Sequence, residues 1–190
     1  MRLIIVITGA SGAIYALELL KELKKQNIEV DLIVTKSGKY TINHELNIKY
    51  DELESLVTER WDVYDTSADI ASGSVKIDGM IIVPCTMNMI ANMAQGISNN
   101  LPLRCADIMM KEGKKLVIVP RETPLNDNHL ENMLKLHRMG VRVVPAMPGF
   151  YNKPKDINQL VQFIVARILD QFDIKHNLLK PWKKPKNMEE

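Results

Sequence analysis

Leu3-Ile4-Ile5-Val6-Ile7 is an unbroken apolar run, too short to cross a membrane. Such a run reads as a strand buried on both faces, the kind found in parallel sheets. It stops at the small-residue stretch Thr8-Gly9-Ala10-Ser11-Gly12-Ala13, after which Ala16, Leu20 and Leu23 fall on one face of a helix. Four further apolar runs predict strands at residues 30–34, 79–84, 116–120 and 141–145. Helical spacing or capping predicts helices at 38–43, 85–94, 101–112, 128–139 and 155–172, the 128–139 helix closed by Gly140. Residues 44–70 are polar and mixed; they predict a short helix near Asp51–Val57 and an excursion before the next strand.

Strands and helices alternate and no segment repeats, so the expected architecture is a three-layer, doubly wound α/β domain with a parallel sheet. Numbering the predicted strands along the chain, the expected order is 3-2-1-4-5. The domain is expected over residues 1–174, followed by a basic, proline-containing tail at 175–190.

Composition narrows the function. Of 190 residues, 46% are apolar and 25% charged, with a net charge of +2. That balance is ordinary for a globular protein and gives no reason to expect nucleic acid or an anionic membrane as partner. The run at residues 3–7 lacks a following cleavage pattern, so no signal peptide is expected. Cys85 and Cys105 lack metal-ligand spacing and sit among apolar neighbours; buried thiols in a reducing cytoplasm are the natural reading. The four His are scattered, so no metal site is expected.

Candidate chemistry sits at the strand ends, which share one edge of a parallel sheet. The first strand ends near Ser11, the second at Thr35, the third at Thr86 and Asn88, the fourth at Arg121 and Glu122, and the fifth before the loop carrying Tyr151. The Gly9–Ala13 turn is neither a dinucleotide fingerprint nor a P-loop. A tight turn needs small residues in any case, and Ser11 would serve equally as a helix cap. Arg104 and Lys111 share a helix face, either as solvated cations or on a partly buried surface. Arg121-Glu122 reads as a salt-bridged turn or as an anion clamp beside a general acid/base. Arg167 lies at the edge of the apolar stripe of the last helix, placed to snorkel or to reach a phosphate or an acidic partner. Several of the eleven methionines cluster between Met87 and Met110, as core packing or as a soft wall for a flat ring or isoprenoid chain.

Taken in order, these residues resemble the UbiX-type flavin prenyltransferases, a family that includes the so-called B subunits of non-oxidative hydroxyarylic acid decarboxylases. The marks are Gly9-Ala10-Ser11-Gly12-Ala13-Ile14-Tyr15, Ser72-Gly73-Ser74, Pro84-Cys85-Thr86, Lys111-Glu112, Pro120 to Leu125, His129-Leu130, Pro148-Gly149-Phe150-Tyr151 and Ala166 to Phe172. The resemblance implies a flavodoxin-like fold, typically a dodecamer with active sites between subunits. It implies metal-independent transfer of a dimethylallyl group from dimethylallyl monophosphate to reduced FMN, the product serving a separate UbiD-type decarboxylase.

Residue by residue, it implies FMN contacts at Gly9, Ala10, Ser11, Thr35, Thr86, Met87, Asn88, Met89 and Arg121. It implies prenyl-phosphate contacts at Lys111, Arg121, Glu122, Tyr151 and Arg167. Glu45 resembles a carboxylate near the flavin, Trp182 an aromatic residue closing the site, and Arg104 a cation reaching a neighbouring subunit's site. Ser11, Glu45, Lys111 and Glu122 carry the implied catalytic roles. Thr35 and Thr86 stand where many relatives have serine. Two other readings remain open: a cysteine-type decarboxylase, for which His44 is the early candidate, and a non-catalytic FMN-carrying subunit.

Overall fold

The computed structural model describes residues 1–65 and 67–179. Six parallel strands form one sheet: β1 (Arg2–Ile7), β2 (Glu29–Val34), β3 (Glu59–Trp61), β4 (Gly79–Cys85), β5 (Lys115–Pro120) and β6 (Arg142–Val143). The helices are α1 (Ala13–Lys25), α2 (Lys36–Leu46), α3 (Met87–Ala94), α4 (Leu101–Lys111), α5 (Asp127–Arg138) and α6 (Ile157–Asp170). The order β3-β2-β1-β4-β5-β6 makes a flavodoxin-like, three-layer α/β fold.

The apolar runs fill both faces because side chains alternate along each strand. Leu3, Ile5 and Ile7 of β1 join Leu19, Leu23, Ile164 and Ile168 in a core under α1 and α6. Ile4 and Val6 join Ile90, Met93, Leu103 and Ile108 in a second core under α3 and α4.

One expectation about topology is corrected. The strand at residues 79–84, counted third from the sequence, is fourth and lies beside β1; the third place belongs to β3, outside β2. Glu59-Arg60-Trp61 is too short and too charged to read as a strand. It forms because its backbone pairs with Asp31, Leu32 and Ile33 of β2. The strand expected at 141–145 is only Arg142–Val143. Pro145 has no N–H to donate, although Val144 and Ala146 still donate to Ile118 and Pro120 carbonyls.

The chain runs outward from β1 through β2 to β3 and then returns to the other side of β1 for β4. That reversal opens a crevice at the carboxyl ends of β1 and β4. At the opposite edge, Gly79 begins β4 where the Phe172 ring closes against Lys115. A Cβ on Gly79 would lie 2.4 Å from Phe172 Cε1 and 2.8 Å from the Lys115 carbonyl oxygen. Gly79→Ala is therefore expected to destabilise the protein by about 1–3 kcal/mol in denaturant unfolding; a loss below measurement error would show that Phe172 gives way freely.

Candidate functional site

Thr8 ties the crevice together. Its hydroxyl donates to the Pro84 carbonyl at 2.6 Å and accepts from the Thr86 N–H at 3.0 Å, so the ends of β1 and β4 are fixed to each other. On the other side, the Thr35 N–H donates to the Ile7 carbonyl at 3.0 Å. Gly9 and Gly38 let the start of α2 lie against the end of β1. A Cβ on Gly9 would fall 2.4 Å from Ser37 Cβ, and one on Gly38 would fall 2.5 Å from the Ile7 carbonyl oxygen.

Three of the helices that begin at this edge are α1, α2 and α3, each with a side-chain cap or a substitute for one. The Thr35 hydroxyl accepts from the Gly38 N–H at 3.1 Å, and the Thr86 hydroxyl accepts from the Met89 N–H at 3.2 Å. For α1 the cap position is Gly12, at φ 112°, with no side chain to offer. Glu45, from α2, supplies the missing acceptor: Oε2 takes both the Gly12 and Ala13 N–H groups at 2.9 Å. Burial pushes the Glu45 carboxyl up, but the Ser11 hydroxyl, the Gly12 and Ala13 amides and the Arg121 charge together hold it below its ordinary value of 4.5.

Two cavities open here. A polar one of about 570 Å³ is lined by Thr8, Thr35, Ser37, Lys39, Tyr64, Thr86, Asn88, Met89, Asn92 and Asn100, among others. A more apolar one of about 340 Å³ is lined by Met87, Pro120, Arg121, Glu122, Pro124, Leu125, Met133, Pro145 and Met147, among others. The start of α3 separates them, with Met87 facing one and Asn88 and Met89 the other. Both are of a size for small-molecule sites.

Arg121 leaves the end of β5 into the apolar cavity. Its Nε is buried with no hydrogen-bond partner. A buried, unsatisfied guanidinium N–H is costly and seeks an acceptor, so this side chain fits an anionic group of a bound ligand. Glu122 beside it is exposed, its Oε1 accepting from the Thr123 N–H at 3.1 Å. Arg167 lies in a neighbouring groove that shares Pro145 and Met147 with the apolar cavity, and its Nη1 pairs with Asp170 at 2.7 Å. Tyr151 is exposed, its ring edge-on to Phe163 at 5.8 Å between centroids.

The structure thus brings Gly9, Ala10, Ser11, Thr35, Glu45, Thr86, Met87, Asn88, Met89, Arg121 and Glu122 to one edge. Arg167 is not among them: it sits in the last turn of α6, in the groove beside His137 and Arg142 at the start of β6. It does not bring Lys111 there. Lys111 ends α4, which leads into the start of β5, so it lies at the opposite edge of the same chain, paired with Glu112 at 3.1 Å. Glu112 also lies against Gly73, so Ser72-Gly73-Ser74 and Lys111-Glu112 form one surface there. Arg104, exposed on α4, pairs with Asp107 at 3.6 Å. Trp182 lies outside the described residues.

Sequence reasoning missed Thr8, Ser37, Tyr64, Asn92 and Asn100. The one signal was positional: Thr8 is the first polar residue after the β1 apolar run. The two cysteines are free and buried, and burial pushes the Cys105 thiol up to about 12. Among the described residues no cluster of ligating side chains could hold a metal ion, and no helix is long and apolar enough to cross a membrane.

This is the construction of a flavin-type α/β protein. Residues 1–169 match the family model described as Flavoprotein. The chain is 47% identical over 186 residues to the flavin prenyltransferase UbiX of Halalkalibacterium halodurans, covering 93% of this chain and 90% of that one. It superposes on a dodecameric FMN-dependent UbiX-like decarboxylase from Escherichia coli O157:H7 with a TM-score of 0.94 at 43% identity, covering 96% and 100% of the two chains. A structure of AnUbiX in complex with FMN and dimethylallyl pyrophosphate matches with a TM-score of 0.95 at 36% identity, covering 97% and 98%. The chain belongs to the UbiX flavin prenyltransferase family.

The Glu45 cap has a pH signature. The folded value is depressed, so its stabilisation is present above pH 4.5 and fades as pH falls through the lowered folded value. Glu45→Ala should cost about 1 kcal/mol at neutral pH. The gap between wild type and variant should narrow in acid, as read by urea unfolding at several pH values; a gap constant with pH would show that the carboxylate is not the cap.

Proposed function

We propose that this chain is a flavin prenyltransferase that moves a dimethylallyl group from dimethylallyl monophosphate to reduced FMN. The observation that carries this reading is the unpartnered Arg121 Nε, buried in an apolar cavity beside a polar one. A carrier of FMN alone has no need of a second, anion-seeking cavity. A cysteine-type decarboxylase would want its histidine at the flavin, and His44 lines neither cavity but stacks on Tyr40.

FMN would sit in the polar cavity against Thr35, Thr86, Asn88 and Met89, with Gly9, Ala10 and Ser11 of the β1 turn beside it and Met87 reaching it from the apolar side. When bound, reduced FMN supplies the nucleophilic ring edge and a π face for the allyl cation. The prenyl chain fits among Met87, Met133 and Met147, which exclude water from the separating charges. Breaking the C–O bond releases phosphate, whose charge Arg121 stabilises, with Tyr151 and Arg167 as its further contacts in the assembled oligomer. Glu122 gives a proton to the departing phosphate. Ser11 and Glu45 would orient the flavin's reactive edge, with the Glu45 carboxylate as the acceptor of its proton.

Lys111 and Arg104 belong to this site from a neighbouring subunit of a homo-oligomer, a dodecamer on this reading. Residues 1–174 form the flavin-binding unit, and Trp182 in the tail closes the site. No metal takes part. The product passes to a UbiD-type decarboxylase in the cytoplasm.

The test is mass spectrometry of the flavin released after incubation with reduced FMN and dimethylallyl monophosphate without metal, with the pyrophosphate in parallel. One added prenyl mass with the monophosphate is expected. Glu122→Ala and Lys111→Ala should keep FMN bound and slow prenylation roughly 10²–10³-fold. Unmodified FMN from the wild-type protein would sink the reading, and full activity in both variants would sink the assigned roles.

A further inference from the structure

Asp31 is buried in the middle of β2, only 1% exposed. A carboxylate there is costly unless fully hydrogen-bonded. It accepts three bonds: Arg2 Nε at 2.7 Å, Arg2 Nη2 at 2.9 Å and the Trp61 indole N–H at 2.8 Å. Arg2 begins β1 and Trp61 ends β3, so one carboxylate fastens the edge strand across β2 to the centre of the sheet.

That edge strand is only three residues long, with three backbone partners on β2. A strand so short has little hold of its own. Beyond Trp61 the chain runs directly into Asp62, Val63 and Tyr64, which form the outer wall of the polar cavity. The Val63 carbonyl accepts from the Leu101 N–H at 2.8 Å. That bond seats the start of α4, whose capping residue Asn100 lines the same cavity.

We infer that Asp31 is a positioning residue for the flavin cavity, holding its outer wall in place through Trp61. This rests on the reading of that cavity as the FMN site. The ion pair has no contact with either cavity, so its effect is on how well FMN is held, not on the chemical step.

Trp61→Phe removes the indole N–H and keeps an aromatic ring. The expected result is an FMN dissociation constant raised roughly three- to tenfold, the share of one lost charged hydrogen bond that the cavity wall passes on to the ligand. The kcat at saturating FMN and the KM for the prenyl donor should stay within about twofold. Hydrogen exchange at the Leu101 amide should quicken in the flavin-free protein. Asp31→Asn should act in the same direction and serves if Trp61→Phe does not fold.

A matched control is Ile168→Val on the far face, expected to lower stability without changing FMN affinity or Leu101 exchange. Unchanged FMN affinity in Trp61→Phe, an equal loss in Ile168→Val, or a fall in kcat with FMN affinity intact would each overturn the inference. Failure of the flavin reading looks different: the wild-type protein would bind no FMN, which removes the cavity's ligand whatever Trp61 does.

Discussion

A single buried hydroxyl holds the working edge of this sheet. Thr8 bonds to Pro84 and Thr86 at once, and it does so at the place where the chain order reverses about β1. Parallel sheets leave their carboxyl ends to loops, and loops are free to spread. Here the β4 loop cannot move without the β1 turn. The α3 start is fixed by the same bond, because Thr86 is both the partner of Thr8 and the cap of α3. Since α3 divides the polar cavity from the apolar one, the partition of the site follows from Thr8.

The two anion-seeking features of this edge have different fates. The small-residue turn before α1 has the form of a phosphate cradle, with free amides at a helix start. Those amides are already taken by Glu45, so the protein satisfies this site with its own carboxylate. Arg121 is the reverse case: a buried donor left open. A chain that closes one anion site and leaves another open directs where negative charge can settle. It also fixes the Glu45 carboxylate against the turn, joining the end of α2 to the start of α1.

Much of the architecture was legible because burial on both faces writes itself as uninterrupted apolar residues. Leu3 to Ile7, Gly79 to Val83 and Leu116 to Val119 announce themselves this way. Glu59-Arg60-Trp61 does not, since an edge strand needs only backbone partners and a foothold, and its foothold is Asp31, 30 residues earlier. The neighbour of β1 was misassigned because periodicity reports that a strand is buried and not beside which strand. The clustering of polar residues at strand ends was readable from alternation alone. The bond from Glu45 to Gly12 was not, because no local pattern links residues 33 apart. The place of Lys111 follows from simple topology, since a helix that precedes a strand ends at that strand's start.

The thioether lining of the site has a chemical cost. Met87, Met133 and Met147 wall the apolar cavity, and Met89 borders the polar one. A reduced flavin exposed to dioxygen yields peroxide, and peroxide turns methionine into its sulfoxide. Each sulfoxide would set a strong dipole into an otherwise apolar wall, against whatever hydrocarbon the cavity takes. On the proposed reading, the same soft, polarisable wall that suits an allylic chain makes the enzyme's working lifetime depend on how little oxygen reaches it.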